Sequence, residues 1–143
     1  MRMGMWAFAL TLGIAGFAAG AQADTEATGV WKLDSGKVTV RVSPCGGNLC
    51  GIVIALKKPR DDKGRPRLDK ENPEPSLRGR PVIGLTILGN MKPDGGNRWN
   101  CTIYNPDDGY TYRSRMKLQN ATTMKVEGCL AVFCKAMKFI KVE

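Results

Sequence analysis

A chain of 143 residues with 22 Lys and Arg against 13 Asp and Glu, and no His at all, closes off several kinds of chemistry. Serine and cysteine hydrolases that rely on a His base are excluded, as are most His-liganded zinc and copper sites. The formal charge of +9 turns attention to anionic partners.

The first element in chain order is a leader. Arg2 supplies one positive charge, an apolar run follows from Met3 to about Ala19, and Ala21-Gln22-Ala23 ends it in small residues. That order predicts a cleavable signal peptide over 1–23 and a periplasmic or secreted working chain, 24–143. The competing reading is a retained anchor, because the apolar run approaches the roughly 20 residues that span a bilayer. An Ala-x-Ala ending is what an anchor lacks. Removing Arg2 takes the 22 basic residues to 21, which against 13 acidic ones leaves +8. No comparable apolar run recurs after Ala23, so the remainder is expected not to be an integral membrane protein.

Beyond the leader no helical period is sustained. Alternation with turn punctuation recurs instead, the pattern of an all-β sandwich or barrel. Val38, Val40 and Val42 oppose Lys37, Thr39 and Arg41; Ile52 to Leu56 and Val82 to Leu88 give further strands, the latter ending at Gly89-Asn90. A turn cluster, Lys92 to Asn97, precedes the strand Trp99 to Tyr104. Asn105-Pro106-Asp107-Asp108-Gly109 reads as a hairpin turn, since Pro presets φ and Gly accepts the left-handed position. The return arm alternates Tyr112, Ser114, Met116 and Leu118 against Thr111, Arg113, Arg115 and Lys117. Met124 to Val126 and Phe133 to Val142 supply the last strands, with a bulge expected where Lys138 to Lys141 breaks alternation.

One segment refuses the pattern. Residues Lys57 to Pro81 hold five of the eight prolines and nine basic against five acidic residues. Loops of this length inside a compact domain are usually functional or disordered. The remaining residues suffice for about eight short strands, hence a shallow barrel that is filled or nearly filled by side chains.

Four of the five cysteines form two repeats of one spacing, Cys45-GGNL-Cys50 and Cys129-LAVF-Cys134. In an oxidising compartment two local disulfides are the simplest pairing, although four cysteines allow three connectivities and a cross pairing such as Cys45 with Cys129 stays open. Neither spacing is Cys-x-x-Cys and no His can complete a tetrahedral set, so no metal is expected. Cys101 is left over, on the strand face shared by Trp99 and Ile103, where a buried inert thiol is expected.

Several residues in fixed order carry a resemblance. They are Gly29-Val30-Trp31, Cys45, Leu49 to Val53, Asn72-Pro73-Glu74-Pro75 with Leu77-Arg78, Arg80-Pro81 with Gly84, and Trp99. Ile103 to Pro106, Gly109 to Tyr112 and Gly128-Cys129 with Cys134 complete the set. Across nearly all of the chain after the leader, the sequence resembles a bacterial exported family known as domain-of-unknown-function family 2147, whose fold is similar to a lipocalin. The resemblance implies a small antiparallel up-and-down barrel of about eight short strands with one long basic loop, and no established activity. That family usually has Gly where Cys101 stands and Trp where Phe139 stands.

Trp31 stands where the resemblance places a lipocalin-like barrel's closing tryptophan, which implies that it plugs one barrel end under a basic side chain, with Trp99 as a second structural tryptophan. The other candidate sites follow from residue types. Arg78 and Arg80 are candidates for binding carboxylate or phosphate bidentately on a proline-stiffened lid that Leu77 anchors, or else for pairing with Asp69, Glu71 or Glu74. Tyr104, Tyr110 and Tyr112 are expected at a pocket rim, beside turn-forming Asp107 and Asp108. No catalytic constellation and no cofactor is expected. The expected function is non-enzymatic: a barrel that binds a small apolar or amphipathic ligand, or docks on an anionic component of the cell envelope. The alternative is an interaction protein whose basic loop over 57–81 grips a protein or anionic polymer. Nucleic acid is not an expected partner, given the export signal.

Overall fold

The computed structural model describes Gly13 and residues 26–143, so the leader read over 1–23 lies, Gly13 apart, outside the described residues. Alternation is clearest in the second and sixth strands. Val40 and Val42 are buried while Arg41 between them is exposed, and Ser114, Met116 and Leu118 are buried while Arg115 and Lys117 are exposed. Apolar side chains on one face of each strand close around each other, and the polar faces meet solvent.

Eight strands result: β1 (Gly29–Leu33), β2 (Val38–Cys45), β3 (Asn48–Leu56), β4 (Thr86–Pro93), β5 (Arg98–Asn105), β6 (Tyr110–Asn120), β7 (Thr123–Leu130) and β8 (Phe133–Lys141). Each pairs antiparallel with the next and β1 pairs with β8, which closes the barrel in chain order. Closure leaves no free sheet edge. Because successive strands reverse direction, the turns after β1, β3, β5 and β7 share one end, the mouth. Those after β2, β4 and β6 share the other, the floor. With apolar residues inside and charged ones outside, the barrel is the inverse of a transmembrane one. Among the described residues no helix is long and apolar enough to cross a membrane.

The interior is filled. Trp31, Trp99, Phe139, Leu88, Met91, Met116 and Met124 are each under 2% exposed. Burying side chains of this kind contributes ~1.5–3 kcal/mol apiece, and the three methionines adapt to the irregular spaces between the rings. At the floor the Trp31 indole donates from Nε1 to the Ala27 carbonyl at 2.8 Å, and the Lys141 ammonium sits 5.5 Å from its ring centroid. Gly29 is required there: its φ is +129°, and a Cβ would stand 2.5 Å from the Glu143 carbonyl oxygen. That carbonyl accepts the Val30 N–H at 2.9 Å, so the start of β1 and the last residue are stitched together beneath the indole.

Both short-range disulfides form, Cys45–Cys50 across the β2–β3 turn and Cys129–Cys134 across the β7–β8 turn, and Cys101 remains a free, buried thiol. Burial pushes that thiol's pKa up, with the Ser114 hydroxyl opposing the shift.

Two strand expectations need correction. The strand expected over Val82 to Leu88 starts only at Thr86, and Gly89-Asn90 does not end it: Asn90 takes φ +48° in a bulge between Gly89 and Lys92, after which pairing with β5 resumes. No bulge occurs at Lys138 to Lys141. There β8 keeps one register with β7, because Phe139 fills the interior while Ile140 turns outward, 38% exposed.

Candidate functional site

The long connection between β3 and β4, residues 57–85, is ordered without becoming a strand or a long helix. Two isolated bridges, Arg60 with Pro66 and Leu68 with Pro81, fold it back on itself, and a 3-10 turn runs from Pro75 to Leu77. It is fastened to the barrel by Val82 and Leu85, both 6% exposed, and by backbone bonds from Val53 N–H to the Leu85 carbonyl and from Gly84 N–H to the Val53 carbonyl.

Its second fastening is polar. Asp69 is completely buried. One carboxylate oxygen accepts the Tyr104 hydroxyl at 2.5 Å; the other accepts Asn72 Nδ2 at 2.8 Å and Arg80 Nε at 3.0 Å. Asn72 Nδ2 also reaches the Tyr104 oxygen at 3.2 Å, and Arg78 Nε donates to the Asn72 carbonyl at 2.7 Å. A buried carboxylate is tolerated only when its oxygens are satisfied in this way. Burial, with the Asp69 carboxylate beside it, pushes the Tyr104 phenol up to about 12.

The latch also shows where the segment lies. Ile103 points inward, against the space above Gly128. Tyr104, one residue on, therefore belongs to the outer row. The expected lid is a strap across the outer wall of β4 and β5 at the mouth end. It ends against the β5–β6 turn, where a Cβ on Gly109 (φ +75°) would fall 1.9 Å from the Glu71 carbonyl oxygen. Only glycine lets the turn and the strap meet so closely.

Each candidate residue can now be placed. Arg80 and Tyr104 meet on Asp69, the pairing alternative named for Arg80, while Arg78 joins the cluster through the Asn72 carbonyl and not through a carboxylate. Leu77 does not anchor the segment: it is 38% exposed on the 3-10 turn, which buries no residue. Its anchoring role passes to Val82, Leu85 and Asp69, which are buried, because a three-residue turn has no apolar face to bury. Tyr110 is 65% exposed and tilts against Tyr112 with ring centroids 6.3 Å apart. The Tyr112 hydroxyl donates to Asp108 at 2.5 Å, a bond that raises its pKa. Asp108 also accepts the Tyr110 N–H at 2.9 Å, and Asp107 is ion-paired with Lys37. These aspartates build the turn. The buried roles of Asp69 and Asn72 had one legible trace, Asn72-Pro73 beside two arginines, but burial of a lone carboxylate has no local signature.

The mouth differs from the interior below it. Leu33, Val38, Leu56, Tyr112 and Met137 are partly buried and pack on the core without being covered. The Lys37–Asp107 pair joins the β1–β2 and β5–β6 turns, which stand on opposite sides of an eight-stranded barrel, so it spans this opening. On the outer wall beside its rim an open cleft of about 320 Å³ is lined by Lys32, Gly36, Thr39, Ala55, Leu56 and Lys57, with Lys32, Thr39 and Ala55 cross-strand neighbours in the outward-facing row. Leu56 is common to the cleft and the apolar mouth.

Eight antiparallel strands closed over a tryptophan floor, with one strapped loop at the mouth, define a lipocalin-like barrel. Among solved structures, protein HP1028 from the human pathogen Helicobacter pylori, described as belonging to the lipocalin family, superposes with a TM-score of 0.69. The match covers 81% of this chain and 82% of that one at 19% identity, a likeness of fold. The profile of a family described as "Uncharacterized protein conserved in bacteria (DUF2147)" matches residues 29–141, and the chain belongs to that family. Comparison with curated protein sequences returned no match.

Proposed function

We propose that the chain is an exported, non-enzymatic binding protein that takes a small amphipathic ligand at the mouth of its barrel. The carrying observation is the contrast within the barrel. Below, large side chains leave the interior filled; at the mouth, five apolar side chains stay half-buried. A ligand's apolar part would complete their burial, and an acidic head reaching over the rim would meet Lys57 and, on the outer wall beside it, Lys32. The two disulfides suit an oxidising compartment and support export. The reading in which the basic loop grips an anionic polymer through Arg78 and Arg80 is less favoured, since the Nε of each is committed within the strap.

Incubating the purified chain with bacterial lipid extract and recording native mass spectra tests the reading. Retained amphiphile is expected, and Leu56→Glu, which sets a carboxylate in the apolar mouth, is expected to release it. A wild-type chain that retains nothing overturns the proposal.

A further inference from the structure

The β7–β8 turn stands out from the rest of the surface. Leu130, Val132 and Phe133 are 65%, 87% and 80% exposed. These are apolar side chains at the tip of a hairpin, where polar turn residues are the rule. The turn itself departs from local preference: Ala131 takes φ +53°, a position that Asn or Gly fills at less strain. The Cys129–Cys134 disulfide closes the hairpin immediately behind this tip and holds it in shape without a core beneath it.

Cations stand directly behind the apolar tip. Arg113 of β6, on the outer wall, is the cross-strand neighbour of Cys129, and exposed Lys135 is that of Gly128, in the row that faces the barrel's opening. On the outer wall with Arg113 the register sets Arg115 beside Glu127 and Lys117 beside Lys125, while Glu127 is already paired with Lys125 at 2.9 Å. Strand residues rise about 3.3 Å each, so the charges begin one or two residues behind the tip. An apolar tip with a cationic collar at that depth matches the boundary between acyl chains and anionic headgroups.

We propose that the stapled β7–β8 tip is a membrane-insertion element: Leu130, Val132 and Phe133 enter an anionic bilayer while Arg113 and Lys135 engage headgroup phosphates, seating the barrel mouth-first. This goes beyond ligand binding at the mouth and does not depend on it.

The test uses the chain exported through its own leader and purified with its disulfides intact. Vesicles of equal parts phosphatidylcholine and phosphatidylglycerol are expected to sediment it, and pure phosphatidylcholine vesicles much less. The triple change Leu130→Ser, Val132→Ser, Phe133→Ser is expected to weaken sedimentation at least about tenfold, given the apolar area withdrawn. Arg113→Ser with Lys135→Ser is expected to remove the preference for the anionic vesicles. Phe133→Trp, which keeps the tip apolar, reports insertion directly: the introduced indole is expected to shift its emission to the blue and to be quenched by bromine-labelled acyl chains. A triple variant that sediments like wild type, a wild-type chain that ignores both vesicles, or an indole emission that does not move overturns the proposal. So does a tip whose loss abolishes only self-association in the absence of lipid.

Discussion

The two stapled hairpins have the same cysteine spacing and opposite characters. At the floor, Cys45 and Cys50 enclose Gly46, Gly47, Asn48 and Leu49; both glycines take positive φ, and Leu49 points into the barrel, 4% exposed. At the mouth, Cys129 and Cys134 enclose Leu130, Ala131, Val132 and Phe133, and the apolar members point into solvent. One staple supports a turn that obeys local rules and feeds the core. The other holds a turn that breaks them at the end where the apolar ring is also uncovered. The spacing specifies a closed hairpin; what the hairpin presents is specified by the residues inside it. The same polarity extends along the barrel, from a floor sealed by Trp31 to a mouth held by the Asp69 latch.

Substitutions at each end of the barrel test that contrast. The largest effect is expected at the floor: Trp31→Ala removes a fully buried indole and should cost ~3–5 kcal/mol in denaturant unfolding, with the whole barrel affected. A cost under ~1 kcal/mol would mean the floor is no better sealed than the mouth. Next come the staples. Opening either disulfide with paired Cys→Ser changes should cost ~2 kcal/mol on the chain-entropy account. The two openings are expected to separate in vesicle binding, which only the Cys129/Cys134 pair should lower.

Smaller and more local is Gly109→Ala. A Cβ at positive φ costs ~1–2 kcal/mol, and here it also strikes the Glu71 carbonyl. Amide exchange is expected to rise in the strap and the β5–β6 turn while the floor strands keep their protection. Smallest is an alkaline effect. The folded chain holds the Tyr104 proton more tightly than the unfolded chain does, so the latch contributes fully below the ordinary tyrosine value near 10. Its contribution is lost as pH rises through about 12. Stability measured from pH 9 upward should fall in the wild type and lose this component in Tyr104→Phe; identical profiles would remove the latch from the account of the mouth.

Much of the fold was legible in the residues. Alternation in Val38 to Val42 and Tyr112 to Leu118 marks half-buried strands because a pleated strand has a period of two, and the Pro106 to Gly109 turn announces its hairpin through φ preferences. Less legible was β4. Its bulge at Asn90 interrupts the period, and buried Val82 and Leu85 imitate a strand while serving the strap. The candidate site was legible in its ingredients alone. Arg80 and Tyr104 are evident as residue types, but their convergence on Asp69 joins positions 35 apart in the chain, and no local pattern encodes such a pairing. Leu77 misled for a related reason: an apolar residue among prolines has no period to show which way it faces.

Strand periodicity, the matched spacing of four cysteines, the excess of positive charge and the family to which the chain belongs were set by the sequence alone, since all of them depend on near neighbours or on composition; the structure then chose the two local disulfides. Only the tertiary structure decided that the long basic segment is a strap on the outer wall, that Asp69 is its buried latch, and that the interior is filled while the mouth is not. Those outcomes depend on which distant side chains compete for the same space, and that competition is resolved only once the barrel has closed.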